Sequence, residues 1–157
     1  MNEINIIECD FKNSLHTRAL VSLMNHYIRD KMGGTRPLDT QQSFKLIEGL
    51  KNHPSRLILF AELDGELIGL ANCFVNFATF TCKPFINIHD IVVQEKCRNK
   101  GVGRKLMNGI QAHAISMGCS KITLEVREDN DNAQHLYKSL GYKECKPVMH
   151  FLEKKLI

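Results

Sequence analysis

The segment KCRNKGVGRKLM, residues 96–107, places a cluster of basic side chains and two glycines directly ahead of a predicted helix. The helix is predicted because Val102, Leu106 and Ile110 begin an apolar face with helical spacing. Glycine is a poor helix former, and neighbouring like charges repel each other. We therefore interpret this segment as a binding loop for an anionic group, such as phosphate.

A loop between a strand and a helix can hold phosphate through its backbone. The first N–H groups of a helix have no partner within the helix, and the helix dipole adds partial positive charge there. Gly101 and Gly103 permit close approach and positive φ angles, while Arg98, Lys100 and Arg104 add formal charge. The alternative is a tight glycine turn whose basic residues are merely solvated.

The spacing of the glycines excludes two common phosphate loops. No run in the sequence matches the Walker pattern G-x-x-x-x-G-K-[ST]. The dinucleotide pattern G-x-G-x-x-G would need a glycine where Leu106 stands. What remains is R-x-x-G-x-G, from Arg98 to Gly103, between a strand and an amphipathic helix.

Strands and helices are mixed on both sides of this loop. Periodicity and turn signals predict strands at residues 4–9, 56–63, 64–77, 85–93, 121–126 and 148–152, and helices at residues 13–31, 39–51 and 102–117, with a short fourth helix that ends before Gly141. Asp64-Gly65 is the predicted hairpin turn. The order β-α-α-β-β-β-α-β-α-β predicts one α/β domain, residues 1–157, with a mixed, mostly antiparallel sheet and helices on both faces.

Composition narrows the class of protein. The chain has 157 residues, a net charge of +4 and a pI of about 8.7, which is below the strongly basic range of nucleic-acid binders. No apolar run is long enough for a bilayer, and the N-terminal segment lacks the features of a signal peptide. The six cysteines form no CxxC pair and no zinc pattern. We expect a cytoplasmic protein with reduced thiols, and no metal, membrane or nucleic-acid partner.

Two blocks of the sequence together resemble one family. Arg98-x-x-Gly101-x-Gly103, preceded by HDIVV, resembles the acyl-CoA signature and central strand of the GNAT N-acetyltransferases. The segment LEVREDNDNAQHLYKSLGY, residues 124–142, is similar to the second half of that family, where Asn, Ala and Tyr precede a Gly-aromatic pair. The resemblance covers residues 85–142, while the N-terminal part agrees only in the order of its elements.

The resemblance implies acetyl-CoA as cosubstrate and a fold in which two central strands splay apart around the pantetheine arm. The pyrophosphate is expected on backbone N–H groups of residues 99–104, and the arm along β-strand residues 91–93. Asn132 is expected to contact the arm from the other side, although it can instead be a helix cap. The implied cofactor-binding residues are Ile91, Val92, Val93, Arg98, Asn99, Lys100, Gly101, Val102, Gly103, Arg104 and Asn132.

Acetylation by direct attack of an amine needs an acid for the leaving thiolate and a base for the amine. Tyr137 matches the tyrosine that the family commonly uses as the acid, and a phenol with a pKa of about 10 is protonated at neutral pH. The alternative is a core tyrosine.

Backbone N–H groups at Ile91 or Val92 are expected to polarise the thioester carbonyl. No cysteine has a recognisable His partner, so an acyl-enzyme is not expected.

Glu125, Asp90 and His89 are the candidate bases. Glu125 is similar to the base of ribosomal-protein N-terminal acetyltransferases, and it faces the cleft if Leu124 and Val126 face the core; otherwise it is a surface charge. Asp90 places a charge in an apolar strand, at the site of an acidic pair in polyamine acetyltransferases. Here His89 replaces one acid, which argues against a polyamine. His89 can itself be the base, or the two residues can form a hydrogen-bonded pair at a β-bulge.

The acceptor substrate is expected to be selected by residues 13–52 and 78–84, which do not identify it. We expect a small primary amine, with a peptide N-terminus or a lysine as the alternative. A non-catalytic CoA-binding sensor or partner subunit is an alternative of another class, against which Tyr137, Glu125 and Asp90 argue. A homodimer formed through a sheet edge or the last strand is compatible with the sequence.

Overall fold

A five-stranded sheet and four helices make up the secondary structure of residues 3–157, which the computed structural model describes. In chain order the elements are β1 (Asn5–Glu8), α1 (Ser14–Arg29), α2 (Thr40–Asn52), β2 (Arg56–Leu63), β3 (Glu66–Ala78), β4 (Lys83–Val93), α3 (Val102–Ser116), β5 (Ile122–Leu124) and α4 (Asp131–Ser139). A short 3₁₀ turn, Glu95–Cys97, follows β4. The chain forms two compact units, one ending at Glu125 and one spanning Val126–Ile157.

The sheet belongs to the first unit and has the strand order β1-β2-β3-β4-β5. The three strand pairs β1–β2, β2–β3 and β3–β4 are antiparallel, whereas β5 runs parallel to β4. Asp64 and Gly65 connect β2 to β3 with positive φ angles of 53° and 80°, the backbone that an Asp-Gly hairpin turn requires. The predicted fold class, a mixed and mostly antiparallel α/β sheet, is confirmed.

Both helix layers of the first unit are fixed by buried apolar side chains. Helices α1 and α2 cover one face of the sheet, where Leu20, Leu50 and Leu70 belong to one buried cluster. Helix α3 covers the opposite face, where a Cβ on Gly69 would lie only 3.0 Å from Leu106 Cδ1. Because successive residues of a strand face opposite sides, Gly69 and Leu70 place the two layers on different faces, as predicted.

The starts of the first two helices follow capping rules. Asn13 accepts a hydrogen bond from the Leu15 N–H, so α1 begins at Ser14. Asp39 and Gln42 form a reciprocal capping box at the start of α2. Both starts lie within one residue of the predicted positions. None of the helices formed by residues 3–157 has the length and apolar character needed to cross a bilayer.

The last two strands in the sheet order, β4 and β5, separate after three residue pairs. Ile86, Asn87 and Ile88 pair with Ile122, Thr123 and Leu124, and in the part of the chain that the structure describes β5 goes no further. Strand β4 continues to Val93 and stays paired with β3 on its other side. The edge of β4 that points toward β5 is therefore open beyond Ile88, which is the predicted splay.

The structure corrects two predicted strands. Strand β5 ends at Leu124, so Glu125 lies outside it and not within a strand that reaches residue 126. The predicted last strand, residues 148–152, is wrong: the segment is irregular, and Val148, Phe151 and Leu152 are 64%, 74% and 88% exposed. Apolar and aromatic residues favour a strand only where a partner strand satisfies the backbone, and α4 is the only regular element among the residues of the second unit.

Candidate active site

The glycine loop, residues 96–104, contains two residues with left-handed backbone conformation. Asn99 and Gly101 have positive φ angles of 60° and 83°, and an alternation of this kind forms the concave N–H cradles that bind anions. Asn is among the few residues with a side chain that adopt this conformation. A Cβ on Gly101 would meet nothing within 4 Å, so glycine is required there by its φ angle and not by lack of space.

Helix α3 begins at this loop without the usual acidic or polar cap. Gly101 is the cap residue and makes no side-chain hydrogen bond, and the first turn contains no acidic residue. The first hydrogen bond within the helix runs from Lys105 N–H to the Gly101 carbonyl, so the N–H groups of Val102 and Gly103 precede the helical ladder. The start of α3 combines N–H donors, the positive end of the helix dipole and the charge of Lys105.

Two of the loop's basic residues are held by carboxylates. Lys96 Nζ lies 2.8 Å from Glu66 Oε1 at the surface, and this contact lowers the pKa of Glu66 and raises the pKa of Lys96. Arg98 Nη2 lies 2.8 Å from Asp30 Oδ2. Among residues 3–157, Lys100 and Lys105 form no ion pair, so their charge is available to a ligand.

Arg98 reaches from the loop to the end of α1. Its Nε donates to the Val93 carbonyl at 3.2 Å, and its Nη2 lies 3.4 Å from His26 Nε2 and 2.8 Å from Asp30 Oδ2. Asp30 also accepts from the Met32 N–H. The Met32 N–H and the Arg98 guanidinium hold the pKa of Asp30 below its usual range. The end of β4 and the end of α1 are thus joined at Arg98.

Strand β4 contains a β-bulge at its predicted catalytic position. The register passes from Cys73 opposite Ile88 to Asn72 opposite Asp90, so His89 is the extra residue. The exposed His89 ring packs edge-on against Phe74, with 5.7 Å between ring centroids. The bulge that we considered as an alternative is present, but Asp90 is hydrogen-bonded to Asn72 and not to His89.

Asp90 is held from within the core. Asn72 is 2% exposed, and its Nδ2 donates to Asp90 Oδ2 at 3.1 Å and lies 3.2 Å from Met24 Sδ. Asp90 itself is half-buried. Glu125, by contrast, is exposed and follows β5, two residues after Thr123, whose hydroxyl accepts from Asn87 Nδ2 at 3.2 Å.

The thiols of Cys73 and Cys9 are poorly suited to nucleophilic catalysis. Burial and the nearby Asp90 carboxylate raise the pKa of Cys73 to about 12. Burial also raises the pKa of Cys9 to about 11. Since the thiolate is the reactive form, neither residue carries a reactive thiol at neutral pH.

The second unit holds the other two predicted residues on α4. Asn130, and not Asn132, caps this helix by accepting from the Ala133 N–H. Asn132 is exposed in the first turn. Tyr137 lies five residues later, so at 3.6 residues per turn the two side chains point roughly 140° apart around the helix. The Tyr137 ring lies 6.0 Å from the ring of Tyr142.

Sequence reasoning did not find two residues that organise this region, Asp30 and Asn72. Asp30 lies 68 positions from Arg98, and Asn72 lies 18 positions from Asp90. No local sequence pattern marks either residue as part of a site. The one available signal for Asn72 was a polar residue within the apolar run LIGLANCFV of β3, which is costly to bury unless it has a partner.

Comparison with known proteins identifies the family. The sequence profile of the Acetyltransferase (GNAT) family matches residues 20–142, a range that includes the glycine loop and Tyr137. This chain belongs to the GNAT family. It is 31% identical over 133 residues to the uncharacterized N-acetyltransferase YhfO of Bacillus subtilis (strain 168), covering 85% of this chain and 87% of YhfO. The chain is accordingly an N-acetyltransferase.

Solved structures agree with this GNAT fold. A probable acetyltransferase superposes with a TM-score of 0.84 at 22% identity, covering 96% of this chain and 97% of its own. The aminoglycoside N-acetyltransferase AAC(6')-Iy, solved in complex with CoA, superposes with a TM-score of 0.75 at 18% identity. The match covers 99% of this chain and 97% of the AAC(6')-Iy chain. At these identities the likeness establishes the fold alone.

Proposed function

We propose that this GNAT protein transfers an acetyl group from acetyl-CoA to the primary amine of a small molecule, by direct attack of the amine. The observation that carries the proposal is the cradle formed by Asn99, Gly101 and the first turn of α3. Its N–H donors, positive φ angles and absence of acidic residues suit a diphosphate. We further propose that residues 1–157 act as one catalytic domain.

Acetyl-CoA supplies an acetyl group already activated as a thioester. Backbone N–H groups from Asn99 to Arg104 would hold its diphosphate, assisted by the charge of Lys100. The edge of β4 beyond Ile88 has no partner strand on the β5 side, and an amide-containing arm can lie along residues 91–93 there as an added strand. Asn132 is proposed to contact the arm from α4.

The roles of the side chains follow from their chemistry. Asp90 would accept the proton of the attacking amine, because it is a half-buried carboxylate beside the open edge of β4. A backbone N–H at Ile91 or Val92 would donate to the carbonyl oxygen as negative charge develops there. Tyr137 would donate its phenolic proton to the departing thiolate.

Asp90 is the preferred base over Glu125 and His89. Asp90 is oriented by a hydrogen bond from a buried amide, and a catalytic group must be held in place to act efficiently. Glu125 is exposed and lies outside β5. His89 is the exposed residue of the bulge, and its ring packs against Phe74.

A small amine is favoured over a peptide by the likeness to solved aminoglycoside acetyltransferases. A solved enzyme of this fold is an aminoglycoside acetyltransferase in complex with sisomicin, a likeness with a TM-score of 0.78 and 19% identity. A ribosomal-protein-alanine N-acetyltransferase also shares the fold, with a TM-score of 0.76 and 16% identity. Peptides that carry a free N-terminus or a lysine therefore belong among the substrates tested.

The decisive experiment measures thiol release from acetyl-CoA in the presence of aliphatic, aromatic and aminoglycoside amines and short peptides. Acetyl-CoA binding is measured in parallel by calorimetry. We expect micromolar acetyl-CoA binding and turnover with at least one small amine. Asp90→Asn should lose most turnover, and Glu125→Gln should retain it. An absence of acetyl-CoA binding would refute the proposal, whereas the reverse order of the two variants would move the base to Glu125.

A further inference from the structure

Asn72 is the only polar residue in the fully buried core of residues 3–157. It stands on β3 beneath α1, with its Nδ2 3.2 Å from Met24 Sδ. Its Oδ1 is buried and accepts no hydrogen bond. A buried amide with one unsatisfied oxygen destabilises the fold compared with an apolar residue of the same size, so its presence points to a role other than packing.

The amide of Asn72 is oriented by the Asp90 carboxylate. Nδ2 faces Asp90 Oδ2 at 3.1 Å, and this is the favourable orientation because an amide oxygen placed there would repel the carboxylate. Within residues 3–157 the other carboxylate oxygen, Asp90 Oδ1, makes no hydrogen bond. Asn72 therefore fixes one oxygen of Asp90 and leaves the second available.

The β-bulge is what brings these two side chains together. On β4, Ile88 stands opposite Cys73, whereas Asp90 stands opposite Asn72. If β4 kept a regular register through His89, the two-residue period of a strand would place Asp90 on the same face as Ile88. The bulge at His89 moves Asp90 to the face that α1 covers, where Val92 belongs to the same buried cluster as Met24.

We propose that Asn72 is a positioning residue for acetyl transfer, which holds Asp90 so that Oδ1 receives a proton from the acceptor's ammonium group. This inference depends on the proposed function. The ammonium N–H bond breaks, an O–H bond forms on Asp90, and the freed lone pair attacks the thioester carbonyl. The C–N bond forms as the C–S bond breaks, and the thiolate leaves with a proton from Tyr137. The second proton that the nitrogen gives up then restores the phenol. Asn72 itself touches neither substrate, because it is buried.

The test uses variants that separate orientation from packing. Asn72→Leu retains the branched shape of the side chain and removes the hydrogen bond to Asp90. Asn72→Ser is a second variant in case leucine does not fold, because its shorter side chain cannot reach Asp90. Met24→Leu is the matched control, because it alters the other neighbour of Asn72 with little change in volume. All are compared with Asp90→Asn and with the Asn72→Leu/Asp90→Asn double variant.

The readout is steady-state turnover with acetyl-CoA and every amine of the panel that the parent protein acetylates. We expect Asn72→Leu and Asn72→Ser to lower kcat about tenfold, a part of the 10²–10⁴-fold contribution typical of a general base, while KM for acetyl-CoA stays unchanged. In the Asp90→Asn background, Asn72→Leu should have no further effect. Met24→Leu should match the parent.

Three outcomes contradict the inference and are distinguishable from failure of the proposed function. The positioning role is wrong if both Asn72 variants turn over like the parent, or if the effects of Asn72→Leu and Asp90→Asn multiply in the double variant. It is also wrong if Asp90→Asn retains full activity. A parent that acetylates no amine of the panel overturns the proposed function itself.

Discussion

Arg98 Nη2 lies 2.8 Å from Asp30 Oδ2, so a residue of the glycine loop is paired with the residue that ends α1. Arg98 is the first residue of the R-x-x-G-x-G pattern, and its charge was expected to serve the phosphate. In the structure this charge is matched by a carboxylate 68 positions away. Arg98 connects the glycine loop to the α1–α2 segment that we expect to select the acceptor.

Replacing Asp30 by asparagine tests this connection through stability and its dependence on pH. The amide oxygen of the new side chain could still accept from the Met32 N–H, but Arg98 would lose its anionic partner. Since the Arg98 side chain is 38% exposed, solvent screens the pair, and we expect a loss of about 1 kcal/mol or less. In thermal unfolding this is about 2–4 °C for a chain of this size.

The pKa of Asp30 is lower in the folded protein than its usual value, so its contribution to stability has a definite sign. The contribution is complete above the unfolded pKa of about 4 and is lost as the pH falls through the folded-state pKa. The Tm difference between parent and Asp30→Asn should be present at pH 6 and shrink below pH 4. Asp129→Asn, which alters an exposed short-range pair, is the control. A difference that grows on acidification would contradict the assignment.

Gly101→Ala tests the backbone cradle without adding a steric clash. The new Cβ would meet no atom within 4 Å, but the φ of +83° is unfavourable for alanine. Gly118→Ala is a matched control, because Gly118 has a φ of +67°, equally open surroundings and a position just beyond the other end of α3. Both variants should lose about 1 kcal/mol of stability.

Only Gly101→Ala should also weaken acetyl-CoA binding, by about tenfold or 1.4 kcal/mol, when both are measured by calorimetry. The reason is that alanine favours a negative φ, which would turn the loop's N–H groups away from the cradle. Equal affinities in Gly101→Ala and Gly118→Ala would show that the conformation at Gly101 does not support binding.

The features that sequence analysis predicted well are set by neighbouring residues. The Asp64-Gly65 turn, the start of α2 at Asp39 and the end of α4 before Gly141, which has a φ of 88°, depend on a few adjacent positions. The features that it missed depend on distant contacts. Neither the partner of Asp90 nor that of Arg98 can be read from local spacing, because each lies on another element of the fold.

The wrong strand at residues 148–152 and the undecided bulge in β4 have the same origin, because both depend on a partner strand. Residues 148–152 have the apolar composition of a strand but are irregular, since composition does not provide a pairing partner. The bulge at His89 was only one of several alternatives, because an extra residue in a strand becomes evident only when its register against β3 is known. Its effect on Asp90 is nevertheless decisive, because it determines which face the carboxylate occupies.

Cys73 provides a test of direct attack against an acyl-enzyme. With its pKa raised to about 12 by burial and by Asp90, less than about one thiol in 10⁴ is ionised at pH 7. Cys73→Ala should therefore keep kcat within about twofold of the parent, despite some loss of stability from the missing side chain. Cys82→Ala, at an exposed thiol, is the control. Loss of turnover together with an acetylated parent protein in mass spectrometry would instead indicate an acyl-enzyme through Cys73.

Tyr137→Phe removes only the phenolic hydroxyl and therefore tests Tyr137 as the proposed proton donor. If the phenol protonates the leaving thiolate, kcat should fall about 10²-fold, at the lower end of the range for general acid catalysis, while acetyl-CoA affinity remains unchanged. Tyr142→Phe is the matched control, because its ring lies 6.0 Å from that of Tyr137 in the same unit. The comparison uses the thiol-release assay at saturating acetyl-CoA. If both variants match the parent, the thiolate is protonated by water or by another group, and the role proposed for Tyr137 is wrong.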